Sequence, residues 1–557
     1  MAYVITQRCC NDASCVAECP VDCIRPRPED PQFATAEMLY IDPDTCIDCG
    51  ACYEACPVDA IYAEEDLPAH LDGFRGINAG YFAKHPLQPD MSPPPPVRRL
   101  AKDLGTLRVA IVGTGPAACY AAEQLLSAGS VEVEMFDRLP APWGLARYGV
   151  APDHAQTRGV TEMFTAAFKR DALQMYLNTE IGTHLTHAEL RDSVHAVIYA
   201  VGAPADRRLD IPGEDLPGSV SATEFVAWYN GNPEYADRVF DLSGERAVIV
   251  GNGNVALDIA RVLTTDPDEL ARTDIADHAL AALRNSAIRE VVVVGRRGVL
   301  QAAYTAPEFR ALGQLDGVDI VVEPDDLAVG EAGHAYLADP DAPYELGVKH
   351  RAAVEYAARP LRDGHKRIRF RYCLSPVEIV GDDSVRAVRY VHNELTGPAA
   401  APTARPTGDT GALDSSLVVR AVGYRGEPVG DLPFDERRGV LPTVDGRVVG
   451  PAGAPVPGVY AAGWIKRGPR GVIGSNRADA AETVAAILDD FRAGALSAPV
   501  RDRAELSDLV RTRRPEVVDR TAWQAVDRAE RAAGAAAGRP RVKLATVEEL
   551  LATARRG

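Results

Sequence analysis

The sequence predicts a small α+β domain followed by a larger α/β part built from two Rossmann-like units, and three observations carry that expectation. Nine of the eleven cysteines lie between Cys9 and Cys56. Two apolar strands, residues 109–112 and 247–250, each run into a glycine turn of the form G-x-G-x-x-A. Between the two regions stands a proline run, Pro93-Pro94-Pro95-Pro96, which makes a stiff, extended spacer. A chain of 557 residues exceeds one hydrophobic core and is expected to form roughly two to four domains.

The elements follow in order. Cys15-Val-Ala-Glu-Cys19-Pro20-Val21-Asp22 is echoed by Cys52-Tyr-Glu-Ala-Cys56-Pro57-Val58-Asp59, so residues 1–90 read as a pseudo-symmetric domain with short strands flanking cysteine loops. Its apolar core is small, and metal clusters would supply the missing stability. Residues 91–106 form the linker. From Leu107 the pattern alternates strand, turn and helix, and a second such unit starts near Ala247. Residues 397–410, rich in Ala, Pro and Gly, read as a surface loop, and the segment after Gly494 as exterior helices and connections without an assignable role.

The net charge of −19 argues against a nucleic-acid partner, because affinity for phosphate backbones needs clustered Lys and Arg. No apolar stretch of about 18 residues and no leader pattern is present, so a cytoplasmic protein with no membrane contact is expected. Crowded cysteines in such a chain point to metal ligation rather than disulfides.

Cys46-x2-Cys49-x2-Cys52-x3-Cys56-Pro57 has the spacing in which three thiolates bind one iron-sulphur cluster and the fourth crosses to another. The first half, Cys9-x2-Asp12-x2-Cys15-x3-Cys19-Pro20, carries Asp12 where a ligand thiolate would stand. Crossing assigns Cys19, Cys46, Cys49 and Cys52 to a complete [4Fe-4S] site and leaves Cys9, Cys15 and Cys56 for the other. That second site suits a [3Fe-4S] cluster, or a second, labile [4Fe-4S] cluster completed by the Asp12 carboxylate. Cys10 and Cys23 align with Ile47 and Ala60 and read as packing residues, with Cys10 an alternative to Cys9 as ligand. Cys119 and Cys373 read as buried small hydrophobes.

Gly113 and Gly115, with Ala117, open a helix whose N-terminus suits a pyrophosphate, and the next strand ends in Asp137, placed for a ribose diol. In the second unit Asn252, Gly253, Asn254 and Val255 repeat the turn, but the following strand ends in Arg296 and Arg297. Two guanidiniums there select the 2′-phosphate of NADP(H). One dinucleotide fold for a flavin and one for a nicotinamide imply hydride transfer. No Cys-x-x-Cys pair follows residue 107, so electrons leave by the clusters rather than by a disulfide.

On these cysteine runs the N-terminal part resembles seven-iron bacterial ferredoxins, with Cys23 beside the four-iron cluster. From Leu107 the chain resembles adrenodoxin-reductase-type ferredoxin-NADP reductases, through residues 112–117, Tyr148-Gly-Val-Ala-Pro-Asp-His154, residues 251–258, residues 294–298, and Gly463-Trp-Ile-Lys-Arg-Gly-Pro469 followed by Gly471-Val-Ile473. The whole resembles the actinobacterial fusions of the two: an α+β ferredoxin-like domain before an α/β reductase with two dinucleotide-binding domains. The resemblance implies that Ala117, Asp137, Leu145, Ile181, Trp464, Gly471, Val472 and Ile473 contact FAD. For NADP it implies residues 252–255, Arg296, Arg297, Glu308 and Gly471, with Arg470 departing from the threonine often found there. It also implies an FAD domain of residues 107–204 and 406–557 interrupted by an NADP domain, residues 205–405.

The expected chemistry is hydride transfer from NADPH to FAD, then single electrons to the tethered clusters, a separate ferredoxin or another redox partner. His154 and Glu308 are the candidates for steering the nicotinamide and exchanging protons; an ordinary loop histidine and a helix-start carboxylate are the plainer readings. Rival functions are an electron-input subunit of a larger synthase or dehydrogenase, and a cluster-based iron or redox sensor working through Asp12.

Overall fold

The structure, a computed structural model, describes residues 2–87 and 98–556. The proline run and the first seven residues of the expected linker, 91–97, lie outside the described residues.

In the N-terminal part, Tyr3–Ile5 pairs antiparallel with Ile61–Ala63, and Ile24–Arg25 with Tyr40–Ile41. This is the pseudo-symmetry of the cysteine repeat expressed as two short ribbons. The helix Gly73–Lys84 lies across them, with the buried Asn78 side chain bonding Ile5 and Ile41 backbone at 2.8–3.2 Å. One amide thus joins both ribbons.

A seven-stranded sheet runs Thr443–Val444, Arg447–Val449, Pro455–Ala461, Ala196–Tyr199, Leu107–Val112, Val131–Asp137, Leu173–Leu177, parallel from the third strand onward. Leu107–Val112 is buried on both faces: Val109 and Ile111 pack under the helices Pro116–Ser127 and Asn476–Arg492, Ala110 and Val112 against the opposite layer. That is why it reads as a continuous apolar run. A second, wholly parallel sheet runs Ser219–Ser221, Leu417–Arg420, Arg246–Val250, Glu290–Val294, Lys366–Arg371, Val318–Val322.

Two expectations are corrected here. Residues 397–410 are not simply a surface loop: Thr403–Asp414 is the third strand of an antiparallel sheet with Leu374–Gly381 and Val385–Thr396. Leu417–Arg420 then lies inside the second sheet, so that unit runs past residue 405. The chain crosses between sheets where Ala205–Asp206 pairs with Tyr424–Arg425. A short parallel strand flanked by a polar hairpin gives no compositional sign of which sheet it joins.

The C-terminal segment does form helices, Arg503–Arg513, Arg520–Ala536 and Val547–Ala554. It is also structural, burying Leu506, Val510, Trp523, Val526 and Leu550 against the first sheet's layers. Fully buried Glu530 grips Arg147 through two bonds, at 3.0 and 2.5 Å, and Arg541 at 2.9 Å. Lys543 pairs at 3.2 Å with Asp274, which also holds Arg158 at 2.7 Å. The tail therefore straps the two dinucleotide units together.

The N-terminal part sits on both units. Glu37 pairs with Lys349 at 2.5 Å and Tyr40 donates to Glu345 at 2.7 Å, while Ala306 and Val348 complete the core of Phe74, Ile77 and Tyr81. On the other side the backbone N–H of Gly474 donates to the Cys10 carbonyl at 2.9 Å.

Candidate active site and cluster sites

The two glycine turns are built alike. Gly113 has φ +107° and Gly251 φ +109°; a Cβ on either would lie 2.4 Å from the Ala200 oxygen or 2.2 Å from the Ala421 oxygen. Only glycine fits so close to the neighbouring strand end. A Cβ on Gly115 or Gly253 would meet nothing within 4 Å, and the helices that follow, Pro116–Ser127 and Asn254–Thr264, have no side-chain cap. Free amides facing open space fit a pyrophosphate at each turn.

The C-terminal glycine segment comes to the first turn: a Cβ on Gly463 would stand 2.7 Å from that of Ala117. Trp464 lies 5.3 Å from Tyr424, ring to ring. Gly471 has φ +81° and lies exposed, Val472 is half-buried, and Ile473 packs on the first core. Ile181 is half-buried on the opposite layer, and Leu145, beside Gly144, is 38% exposed. Asp137 accepts from the Thr114 N–H at 3.0 Å, the Thr114 hydroxyl at 2.5 Å and the Leu139 N–H at 3.0 Å. A carboxylate has about four acceptor positions, so one remains for a ribose hydroxyl. Burial, against the Thr114 bonds, pushes its pKa up.

In the second unit Arg296 is exposed and Arg297 half-buried. Their turn is held by backbone: the Arg296 carbonyl accepts from Asn393 Nδ2 at 3.0 Å, and the Arg297 carbonyl from the Cys373 N–H at 3.1 Å. Among the described residues neither guanidinium forms an ion pair. Asn252 accepts from the Ala303 N–H at 3.3 Å, and Asn254 bonds Thr305 twice, at 2.8 and 3.3 Å. Thr305 precedes the helix Ala306–Leu312, so the half-buried turn of Asn254 and Val255 fixes the helix that carries Glu308.

His154, from the first unit, and Glu308, from the second, meet at 3.7 Å between Nε2 and Oε2. Behind them lies buried Arg261, 3.0 Å from Asp153, 3.1 Å from Asp258 and 3.3 Å from Glu308. Burial and the Arg261 charge lower the His154 pKa, so the imidazole is neutral near pH 7. Burial, with Glu308 and Asp153 nearby, raises that of Asp258 against the pull of Arg261. Although burial opposes it, Arg261 holds Asp153 below the ordinary carboxylate value. The ligand atoms of His154, Asp258 and Glu308 lie within 4.8 Å of one another, but Arg261 already supplies the cation. Arg261 and the role of Asp153 were not read from sequence; the available signal was the i, i+3 spacing of Asp258 and Arg261 on one helix face.

Cys19, Cys46, Cys49 and Cys52 surround an apolar hollow with Cys23, Ile24 and Ile41. Cys23 Sγ lies 3.4 Å from Cys19 Sγ, and hydrogen bonding from Cys23 lowers the pKa of both Cys19 and Cys46. Burial pushes Cys52 up to about 12, so the positive charge of iron would be what ionises that thiol; four thiols around one hollow fit a cluster. At the other site Cys9 Sγ accepts from the Leu39 N–H at 3.4 Å and Cys56 Sγ from the Ala60 N–H at 3.3 Å, with Cys15 buried beside them. Burial pushes Cys9 up to about 12, so the positive charge of iron would be what ionises it. Cys10 packs with Val58 and Ala60. Asp12 Oδ1 accepts from the Ser14 N–H at 2.9 Å, while Oδ2 faces the Tyr120 hydroxyl at 3.2 Å and Arg477 at 3.3 Å.

Comparison with known proteins agrees with this arrangement. Residues 39–62 match the 4Fe-4S binding domain family, and residues 107–312 the pyridine nucleotide-disulphide oxidoreductase family. A "Probable ferredoxin/ferredoxin--NADP reductase" of Mycobacterium bovis is 49% identical over 100% of this chain and 95% of its own length. NADPH-ferredoxin reductase FprA of Mycobacterium tuberculosis is 46% identical over 80% of this chain and 98% of its own. A solved structure described as Mycobacterium tuberculosis FprA in complex with NADPH superposes with a TM-score of 0.76 at 44% identity, covering 81% of this chain and all of that one. With two Rossmann-like units, a cysteine-rich α+β part seated on both, and a relative matching from end to end, the chain belongs to the ferredoxin/ferredoxin-NADP reductase family.

Proposed function

We propose that the chain is a self-contained NADPH-dependent reductase in which residues near Gly113 hold FAD, residues near Gly251 hold NADP(H), and the N-terminal part carries electrons onward. The observation that carries this reading is the meeting of His154 and Glu308 from separate units at 3.7 Å, in a chain with two open dinucleotide turns. In this reading residues 1–90 are the ferredoxin domain, and the NADP domain extends from about 205 to the return strand Tyr424–Arg425 rather than to 405.

Bound FAD would supply the conversion of a two-electron hydride into single electrons. The protein's part is binding and orientation. Arg296 and Arg297 take the 2′-phosphate, and the amides of Asn254 and Val255 the pyrophosphate. Neutral His154 presents Nε2 toward Glu308, and the contact with Arg261 fixes the Glu308 carboxylate in place for steering the nicotinamide carboxamide. Cys19, Cys46, Cys49 and Cys52 hold a [4Fe-4S] cluster; Cys9, Cys15 and Cys56 hold a [3Fe-4S] cluster. Exposed Cys49, with Ile47 and Tyr53 more than half exposed around it, favours delivery to an external acceptor as well. No helix among the described residues is long and apolar enough to cross a membrane, which suits a cytoplasmic setting.

The test is low-temperature electron paramagnetic resonance on anaerobic protein, as isolated and after NADPH, with flavin absorbance followed in parallel. A three-iron signal that fades as the flavin bleaches supports the reading. Bleached flavin beside an unchanged cluster signal overturns internal transfer, and absence of bleaching overturns the reductase assignment.

A further inference from the structure

Asp12 stands where the cysteine pattern calls for a ligand, and its surroundings assign it different work. It is buried, and three donors occupy its carboxylate: the Ser14 N–H, the Tyr120 hydroxyl and Arg477. Tyr120 and Arg477 belong to the reductase, on the helices Pro116–Ser127 and Asn476–Arg492. Arg477 also reaches the Ser14 hydroxyl. Tyr120 is fully buried, and among the described residues its hydroxyl has no hydrogen-bond partner except Asp12. Turning the carboxylate toward iron would strand that hydroxyl and break the pair with Arg477.

Backbone contact at the same spot is unusually close. Besides the bond from Gly474 to the Cys10 carbonyl, a Cβ on Gly474 would stand 2.2 Å from the Asp12 nitrogen and 2.3 Å from the Cys10 oxygen. No other residue type permits that approach without movement. Gly474 directly follows the segment Gly471-Val-Ile473, and Tyr120 lies on the helix opened by the first glycine turn. The opposite end of the N-terminal part behaves differently: Cys49 is exposed, and Ile47 and Tyr53 are 58% and 52% exposed.

We propose that Asp12 is a docking residue and not an iron ligand: it joins the three-cysteine site to the flavin-binding unit, so that electrons enter the ferredoxin part at the Cys9, Cys15, Cys56 end and leave at the Cys19, Cys46, Cys49, Cys52 end. The inference rests on the proposed flavin site. Replacing cysteine by aspartate at this position removes a thiolate and at the same stroke provides the charge that Arg477 meets. It also gives the two sites fixed and unequal roles, one covered by the reductase and one open to a partner.

The experiment compares full-length Asp12→Asn, Arg477→Gln and Arg477→Lys with the parent, each loaded with iron. Amide hydrogen exchange at Gly474 reads the docking directly. It is expected to speed up by about tenfold or more in Asp12→Asn and Arg477→Gln, the factor for losing one charge-assisted bond, and to recover in Arg477→Lys. Iron content and the spectrum of the three-iron site should stay at the parent's values in all three. The midpoint potential of that site should move in opposite directions, up when Asp12 loses its negative charge and down when Arg477 loses its positive one, and should stay near the parent's in Arg477→Lys, which keeps the charge. Loss of iron or an altered spectrum in Asp12→Asn alone would make Asp12 a ligand and overturn the proposal, as would Gly474 exchange that neither variant changes. Failure of NADPH to bleach the parent's flavin would overturn the reductase reading instead, and leaves the Gly474 result interpretable by itself.

Discussion

Changing Arg296 and Arg297 together to serine should abolish most of the preference for NADPH over NADH without disturbing the fold. The structure makes the experiment clean. The turn is held through the carbonyls of these two residues, by Asn393 at 3.0 Å and the Cys373 N–H at 3.1 Å, so the backbone stays in place when the side chains go. Neither guanidinium has an ion-pair partner among the described residues, so no buried charge is left stranded. A charge-assisted bond contributes about 1.5–3 kcal/mol when shielded, and at this solvent-facing corner about 1–2 kcal/mol for each arginine. Together they supply about 2–4 kcal/mol, which corresponds to roughly 30- to 700-fold in the ratio of kcat/KM for the two nucleotides. The assay is steady-state reduction of a dye acceptor with each nucleotide at fixed ionic strength. The loss should fall on KM for NADPH, with NADH kinetics changed less than about threefold. A selectivity ratio that stays within threefold of the parent would refute the placement of the 2′-phosphate at this corner.

Glu530→Ala strips the buried partner from Arg147 and should cost about 3–5 kcal/mol, read as a large fall in the denaturation midpoint of the reductase part; a midpoint within 1 °C of the parent would show that the strap carries little. His154 is held below the ordinary histidine value, so the unfolded chain takes up its proton first as pH falls. The associated stability is complete above about pH 6.5 and is lost as the pH drops toward the lowered folded value, so His154→Gln should flatten the stability profile below that point. Iron analysis of Cys9→Ala against Cys10→Ala should show loss from the first only, because Cys10 packs with Val58 and Ala60; the reverse result would exchange their roles. Cys46→Ala should lose the four-iron site while flavin binding persists.

The division into an α+β front and two Rossmann-like units was legible because each unit announces itself by a local pattern: cysteine spacing in one, an apolar strand before a glycine turn in the others. His154 and Glu308 were legible as separate candidates but not as a pair, since the two lie on different units and no local rule places them together. Arg261 was hidden for a related reason. An arginine three residues after Asp258 reads as a solvated helix face until Asp153, brought from the other unit, closes over it. The boundary near residue 405 failed because Leu417–Arg420 is four residues long and its place depends on neighbours far along the chain. Likewise Asp12 looked like a damaged ligand, because Tyr120 and Arg477, its partners, are distant in sequence and carry no motif.

The seat of the N-terminal part also sets a timetable for biosynthesis. The residues that receive Cys10 and Asp12 include Gly474 and Arg477, near the far end of the chain. At ribosomal rates of roughly 5–20 residues per second, on the order of 20 to 80 seconds pass between emergence of the last cysteine of the repeat and emergence of that seat. During this interval the Asp12 face is open to whatever delivers iron and sulphide, and afterwards the reductase lies over it. Cluster assembly is therefore best completed on the nascent chain, and translation stalled before residue 474 should yield protein that takes up iron at the three-cysteine site faster than the finished apoprotein does.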